Sequence, residues 1–294
     1  MQEIVSEQVS KEVFAKAKEM LASGAVNRVM GWEKGLFDYD ITPRVFSSVE
    51  ELEKNFVFDR YCEATVSKYL IKESRKEGKI LAFLKPNDTY SFQQLVKEHR
   101  IIRENVYVIG VPFYSEQNEG KRHVIYDELL GVNDGDETVE KNTKRFDKVS
   151  ELEAMTPDQR FAFWQNELSR CIRCNACRNV CPACSCELCV FDNPNSGISQ
   201  KAAADSFEEK MFHIIRAFHV AGRCTDCGEC SRVCPQNIPL HLLNRKYIKD
   251  INEIYGDYQA GEDLETRAPL NTFKTDDVEP SVVYSREKGE GGEN

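Results

Sequence analysis

Apolar positions recur at helical spacing over residues 8–23, where Val9, Val13, Ala17, Met20 and Leu21 share one face and Gly24 offers a stop. Residues 80–84, Ile-Leu-Ala-Phe-Leu, form an unbroken apolar run of strand length, and residues 106–110 form a second. A helical stretch of roughly residues 90–100 lies between them. Strand, helix and strand at this spacing predict a βαβ unit with parallel strands. The first 148 residues therefore read as a small α/β domain, with the charged, Gly/Asn/Asp-rich segment 131–148 as a linker.

The pattern beyond that point is helical. Thr156-Pro157-Asp158-Gln159 is a helix start: Thr156 caps, Pro157 suits the first helical position and Gln159 completes a capping box. Phe161, Trp164 and Leu168 predict its buried face, and the helix leads to Cys171. Met211, Ile214, Ile215 and Phe218 predict a second helix. Leu240, Leu243, Tyr247, Ile251 and Ile254 predict a third. From Gly256 the chain is polar, and residues 256–294 read as a flexible acidic/polar tail or an arm that orders on a partner. The fold class is thus α+β: an α/β domain (1–148), a helical domain (149–255) and a tail.

Charge and composition narrow the function. The 294-residue chain carries a formal net charge of -10, which argues against nucleic acid as a partner and suits docking on other proteins. No apolar run approaches the ~20 residues that span a bilayer. Met1-Gln2-Glu3-Ile4 has neither a basic start nor an apolar stretch, so a cytoplasmic location is expected. Twelve cysteines in a reducing compartment point to metal ligands rather than disulfides. Eleven of them fall within residues 171–189 and 224–234, and Cys62 stands alone.

Cys171, Cys174, Cys177, Cys181 and Pro182 make one C-x2-C-x2-C-x3-C-P run; Cys224, Cys227, Cys230, Cys234 and Pro235 make another. This is the spacing of bacterial [4Fe-4S] binding, in which the fourth cysteine of each run serves the other cluster. Three thiolates three residues apart on a curling loop can each meet a different iron. The expected ligand sets are therefore Cys171, Cys174, Cys177 and Cys234 for one cluster, and Cys224, Cys227, Cys230 and Cys181 for the other. Structural zinc is the alternative, but zinc sites pair C-x2-C units and seldom use a third evenly spaced cysteine. Arg170, Arg173, Arg178, Arg223 and Arg232 flank the runs. They read either as cations that raise cluster potential or as solvated and paired surface residues.

Cys184, Cys186 and Cys189 follow the first run and, with Cys62, complete a third set of four. A third [4Fe-4S] cluster at the junction of the two domains is one reading; a zinc site or buried free thiols are the others.

The long, partly helical gap between the runs resembles the α-helical ferredoxin domain of iron–sulfur subunits. The stretch from Arg170 to Pro182 with Cys184-Ser185-Cys186-Glu187-Leu188-Cys189 resembles beta subunits of formate dehydrogenases and deazaflavin-reducing hydrogenases. So do Phe218-His219-Val220-Ala221-Gly222-Arg223-Cys224, Arg60-Tyr61-Cys62 and Gly110-Val111-Pro112. Two departures stand out. Lys85-Pro86-Asn87-Asp88 replaces the family's Lys-Gly-Cys-Asp, and Gly110-Val111-Pro112-Phe113 replaces Gly-x-Pro-Cys, so both family cysteines are missing. The flavin binding of some relatives does not carry over, and no G-x-G-x-x-G fingerprint is present.

The resemblance implies a subunit that links a dehydrogenase or hydrogenase to a flavoprotein, ferredoxin or heterodisulfide-reductase-like module. The expected function is an electron relay with no catalytic centre of its own. His99, His123, His213, His219 and His241 are scattered and form no acid–base constellation. A flavin-containing reductase and a scaffold subunit are the competing readings.

Overall fold

The computed structural model describes residues 5–113, 126–130, 144–193 and 207–271. Most of the expected linker, and the tail beyond residue 271, lie outside the described residues. In chain order, helix α1 (Glu7–Ala22) precedes β1 (Arg28–Lys34), β2 (Ile41–Phe46), α2 (Val49–Asn55), β3 (Phe56–Val57) and α3 (Leu70–Glu73). Then come β4 (Ile80–Leu84), α4 (Pro86–Lys97), β5 (Val106–Gly110) and β6 (Glu128–Leu129). The described remainder is helical: α5 (Asp147–Glu153), α6 (Pro157–Ser169), α7 (Ala176–Val180), α8 (Phe207–His219), α9 (Glu229–Arg232) and α10 (Leu240–Tyr255). The chain is a mixed α/β protein. Among the described residues no helix is long and apolar enough to cross a membrane.

The sheet runs β2-β1-β4-β5-β6, with β3 also paired to β1. Strand β4 pairs in parallel with β1 and with β5, Ile80 opposite Val106 and Leu84 opposite Gly110. Together β4, α4 and β5 form the βαβ unit that the apolar runs predict. All five residues of β4 are buried, as befits a central parallel strand covered on both faces. Helix α1 buries Val9, Val13, Ala17 and Met20 on the continuous core around this sheet.

The helical part has smaller cores, and its buried faces differ from the apolar pattern. In α6, Phe161 is exposed, Trp164 packs with Leu168, and Phe163 packs with Val149 and Leu152. In α8 the buried positions are Phe212, His213, Arg216 and Ala217, and Phe218 is exposed. In α10, Leu240 and Ile251 are buried as expected, Leu242, Asn244 and Ile248 join them, and Ile254 is exposed. The polar members of these faces look onto cysteine sulfur, which hydropathy alone does not anticipate.

The segment expected to begin a free tail packs through residue 271. Ala260 and Ala268 are buried, Lys97 Nζ donates to the Thr266 carbonyl at 2.8 Å, and Gly261 sits against the Tyr90 backbone. Small residues let this polar stretch approach other backbone closely, so few apolar side chains mark it in the sequence.

Candidate metal centre

The two cysteine runs share one backbone design. Arg173 and Asn175 flank Cys174 with positive φ, and Asp226 and Gly228 flank Cys227 in the same way. Left-handed residues at these points curl each loop tightly around its cysteines. The Arg173 N–H donates to Cys171 Sγ at 3.3 Å. Helices α7 and α9 follow directly, carry Cys177 and Cys230, and pack on each other.

The sulfurs of the two runs lie among one another. Cys171, Cys174 and Cys177 line one cavity together with Cys234 of the other run, and Phe212, Ile238 and Leu240 wall it. Cys177 is electrostatically coupled to those same three cysteines. Cys181 in turn acts on Cys224, Cys227 and Cys230. Burial pushes the Cys177 thiol to about 11 and the Cys230 thiol to about 12. The Cys224 and Cys227 thiols rise well above the ordinary value for the same reason. Bare, these sulfurs keep their protons; iron charge must replace them for thiolates to form. Among the described residues no three His, Cys, Asp or Glu side chains converge as the ligands of a single ion would.

Polar groups aim at the sulfurs. His213 Nε2 lies 3.2 Å from Cys171 Sγ, and burial holds the ring neutral, with its pKa pushed down to about 3. Asn244 Nδ2 donates to Cys230 Sγ at 3.6 Å. Arg216 is 1% exposed, and none of its three guanidinium nitrogens has a hydrogen-bond partner among the described residues. A cavity walled by four thiols, with donors pointing at sulfur and a buried unpaired cation beside it, fits an anionic thiolate-bound cluster.

The sheet holds this centre from one side. Glu229 at the start of α9 accepts the Thr65 N–H at 3.4 Å, and Ser91 Oγ lies 2.8 Å from Thr225 Oγ1. Lys68 Nζ donates to the carbonyls of Arg178 and Cys184, at 3.0 and 2.8 Å. Arg223 clasps Glu98 through two hydrogen bonds of 2.7 and 2.5 Å. These contacts join the segment before α3, and the body and C-terminal end of α4, to the cysteine loops.

Four of the five flanking arginines are paired: Arg170 with Glu167, Arg178 with Asp192, Arg223 with Glu98 and Arg232 with Glu229. Arg173 stacks over Phe212, its guanidinium carbon 4.0 Å from the ring centre. The groups nearest sulfur, His213 and Arg216, were not singled out from the sequence as site residues. The signal was the pair of polar residues three apart on an otherwise apolar helix between the two runs.

The extra cysteines do not gather as a set of four. Cys184, Cys186 and Cys189 line an open cleft of about 800 Å³ with Lys68, Arg178 and Arg223 among its walls. Cys62 does not line it. That residue is fully buried in the core around the sheet, where its sulfur accepts the Asp59 N–H at 3.3 Å. The loop that carries it is fixed by Lys85, whose Nζ donates to the carbonyls of Cys62, Glu63 and Ala64 at 2.6 to 2.8 Å. Burial pushes the Cys62 thiol to about 12. A shared third cluster would need this loop to leave Lys85.

Comparison with known proteins agrees with the cysteine pattern. Residues 167–238 match the 4Fe-4S dicluster domain. The chain is 33% identical over 95 residues to the F420-dependent formate dehydrogenase subunit beta of Methanocaldococcus jannaschii, covering 29% of this chain and 22% of that one. It is 33% identical over 99 residues to the F420-dependent formate dehydrogenase 1 subunit beta of Methanococcus maripaludis, covering 34% and 25%. A protein named as a ferredoxin from Sinorhizobium fredii is 33% identical over 73 residues, which is 24% of this chain and 70% of the ferredoxin. The match thus spans about a quarter of each formate dehydrogenase subunit and most of the ferredoxin. Two [4Fe-4S] clusters are the cofactors this domain carries, and over that stretch the chain is similar both to a ferredoxin and to iron–sulfur beta subunits.

Proposed function

We propose that the chain is an electron-transfer subunit of a formate dehydrogenase-like oxidoreductase complex. In this reading Cys171, Cys174, Cys177 and Cys234 hold one cluster, and Cys224, Cys227, Cys230 and Cys181 hold the other. What supports it is the grouping of the cysteines: Cys234 lines the cavity of Cys171, Cys174 and Cys177, and Cys181 acts electrostatically on Cys224, Cys227 and Cys230. Bound there, each cluster would accept and release one electron.

The residues around the sets do the rest. The Arg173 N–H, His213 and Asn244 reach ligand sulfur, and hydrogen bonds to sulfur favour the reduced, more negative state. Phe212, Ile238 and Leu240 keep water from the first set. Cys174 and Ile172 are exposed, which gives the first set an edge at the surface for a partner subunit. The βαβ part, residues 1–148, serves as the platform for the dicluster part, residues 149–255. The partners are protein subunits: a dehydrogenase or hydrogenase on one side and a flavoprotein, ferredoxin or heterodisulfide-reductase-like module on the other.

The test is iron, acid-labile sulfide, zinc and flavin per chain in one preparation made without oxygen. About eight irons with matching sulfide and no flavin is the expected result. Stoichiometric zinc without iron would overturn the reading, and stoichiometric flavin would move it to a reductase.

A further inference from the structure

Helix α8 runs between the two cysteine runs in the chain and past both in space. Its residues 213 and 216, one turn apart, share its inner face. His213 reaches one sulfur, that of Cys171. Arg216 does something different. The thiols its charge acts on most are Cys230 and Cys181, of the second set, then Cys177, of the first, and then Cys184. Four residues before it in the helix, Phe212 packs in one cluster with Cys171, Cys177 and Cys230, and Arg216 itself lines the cleft beside Cys184, so it stands beside both sets at once.

A guanidinium in such a place is costly. Burying an unpaired cation carries a desolvation penalty of several kcal/mol. Buried arginines are accordingly found in bidentate pairs with carboxylates. Three other arginines of the helical part follow that rule: Arg223 has Glu98, Arg232 has Glu229 and Arg245 has Asp226. Arg216 has no carboxylate, and its Nε, Nη1 and Nη2 are all buried without a hydrogen-bond partner among the described residues. The compensating negative charge must then come from what the cysteines hold. Arginine stays protonated at any accessible pH, so the charge is permanent.

We infer that Arg216 is a positioning residue common to both clusters, a fixed cation that raises their two potentials together and keeps them matched for electron exchange. The inference rests on the dicluster reading above. Added positive charge and hydrogen bonds to sulfur both favour the reduced cluster. One cation between two sites lifts both, whereas His213 and Asn244 each address one ligand.

The experiment compares the anaerobically purified full chain with Arg216→Lys, Arg216→Gln and Arg216→Met. Iron and sulfide are counted, and both midpoint potentials are read by titration followed by electron paramagnetic resonance. Wild type should hold about eight irons. In Arg216→Met and Arg216→Gln both potentials should fall, by about tenfold in the reduction equilibrium, or ~59 mV for one electron. In Arg216→Lys they should stay near wild type. Should Arg216→Met lose its iron, the Gln and Lys pair decides. Low values in Gln with wild-type values in Lys support the inference. Equal potentials in all iron-loaded proteins, or a fall in one cluster alone, would overturn it. A wild-type iron count well below eight would overturn the dicluster reading instead.

Discussion

Lys85 shows how one side chain can stand for a whole region. It is 2% exposed, its Nζ donates to three consecutive carbonyls, and it lies 4.9 Å from the Trp32 ring centre and 5.1 Å from that of Phe113. Asp88, also buried, stands 3.8 Å away. Burial pushes the Asp88 carboxyl up and Lys85 opposes that. Lys85→Met would strip three carbonyls of their donor and leave Asp88 uncompensated. It should cost about 3–5 kcal/mol in denaturant unfolding, the range for breaking a buried ion pair from one side. A loss below 1 kcal/mol would show the carbonyls finding other donors. Three segments singled out in the sequence, around Cys62, Lys85 and Phe113, meet at this point. That convergence could not be read from the chain, because it depends on the register of β4 against β5. His241 gives a second residue-scale prediction. Its Nδ1 lies 2.8 Å from Ser231 Oγ, and burial, then the nearby Arg245 charge, push its pKa down to about 4. The folded chain thus refuses a proton that the unfolded chain accepts near 6.5. Its contribution is whole above that pH and is lost as pH falls from 6.5 toward 4. The wild type should lose about 2–3 kcal/mol over that window, and His241→Asn should lose correspondingly less, measured by urea unfolding at stepped pH.

At the scale of elements, legibility followed the kind of neighbour each element has. The β4–α4–β5 unit and the Thr156 cap were readable because apolar burial and capping are local rules. Thr156 Oγ1 does accept the Gln159 N–H, and Gln159 returns the bond. The eight motif cysteines were readable because cluster ligation imposes a fixed spacing. Helix α8 was misread, since a helix facing sulfur and charge buries His213 and Arg216 and leaves Phe218 outside. Segment 256–271 was misread for the opposite reason: its packing uses glycine and alanine, which carry little hydropathy. That packing makes a sharp prediction. Gly261 has φ +76°, and a Cβ there would meet the Tyr90 carbonyl oxygen at 1.9 Å. Gly261→Ala should lift this segment off α4 at a cost of about 1–3 kcal/mol. Limited proteolysis should then cut within 256–271 while the sheet resists. An unchanged digestion pattern would mean that the backbone shifts to accept the methyl.

At the scale of the molecule, the two halves draw their stability from different sources. The part around the sheet has a continuous apolar core from Val9 to Phe113, with Trp32, Phe46, Phe83 and Phe92 fully buried. The helical part has several small clusters, and cysteines are among the members of the two that adjoin the ligand loops. Helices α7 and α9 are single turns, too short to persist without tertiary support. Their support is each other, the sheet-side clasps and whatever the cysteines bind. Iron removal should therefore unfold the chain unevenly. Stripped anaerobically with a chelator, the protein should keep slow hydrogen exchange in β1, β4 and β5, which rest on apolar burial. Amides of α7, α9 and the cysteine loops should exchange at least a hundredfold faster, since cluster binding energy is folding energy there. Cys62→Ala adds a control on the sheet side. Its sulfur faces the core rather than the cleft of Cys184, Cys186 and Cys189, so the variant should retain all its iron while losing some stability to the small void. A wild type with about twelve irons that loses about four of them in this variant would show that Cys62 leaves the core to ligate, and would make the junction between the halves part of the metal centre. Equal loss of protection in sheet and helices after stripping would show a single cooperative unit, with the clusters supporting the sheet through Glu229, Thr225 and Arg223.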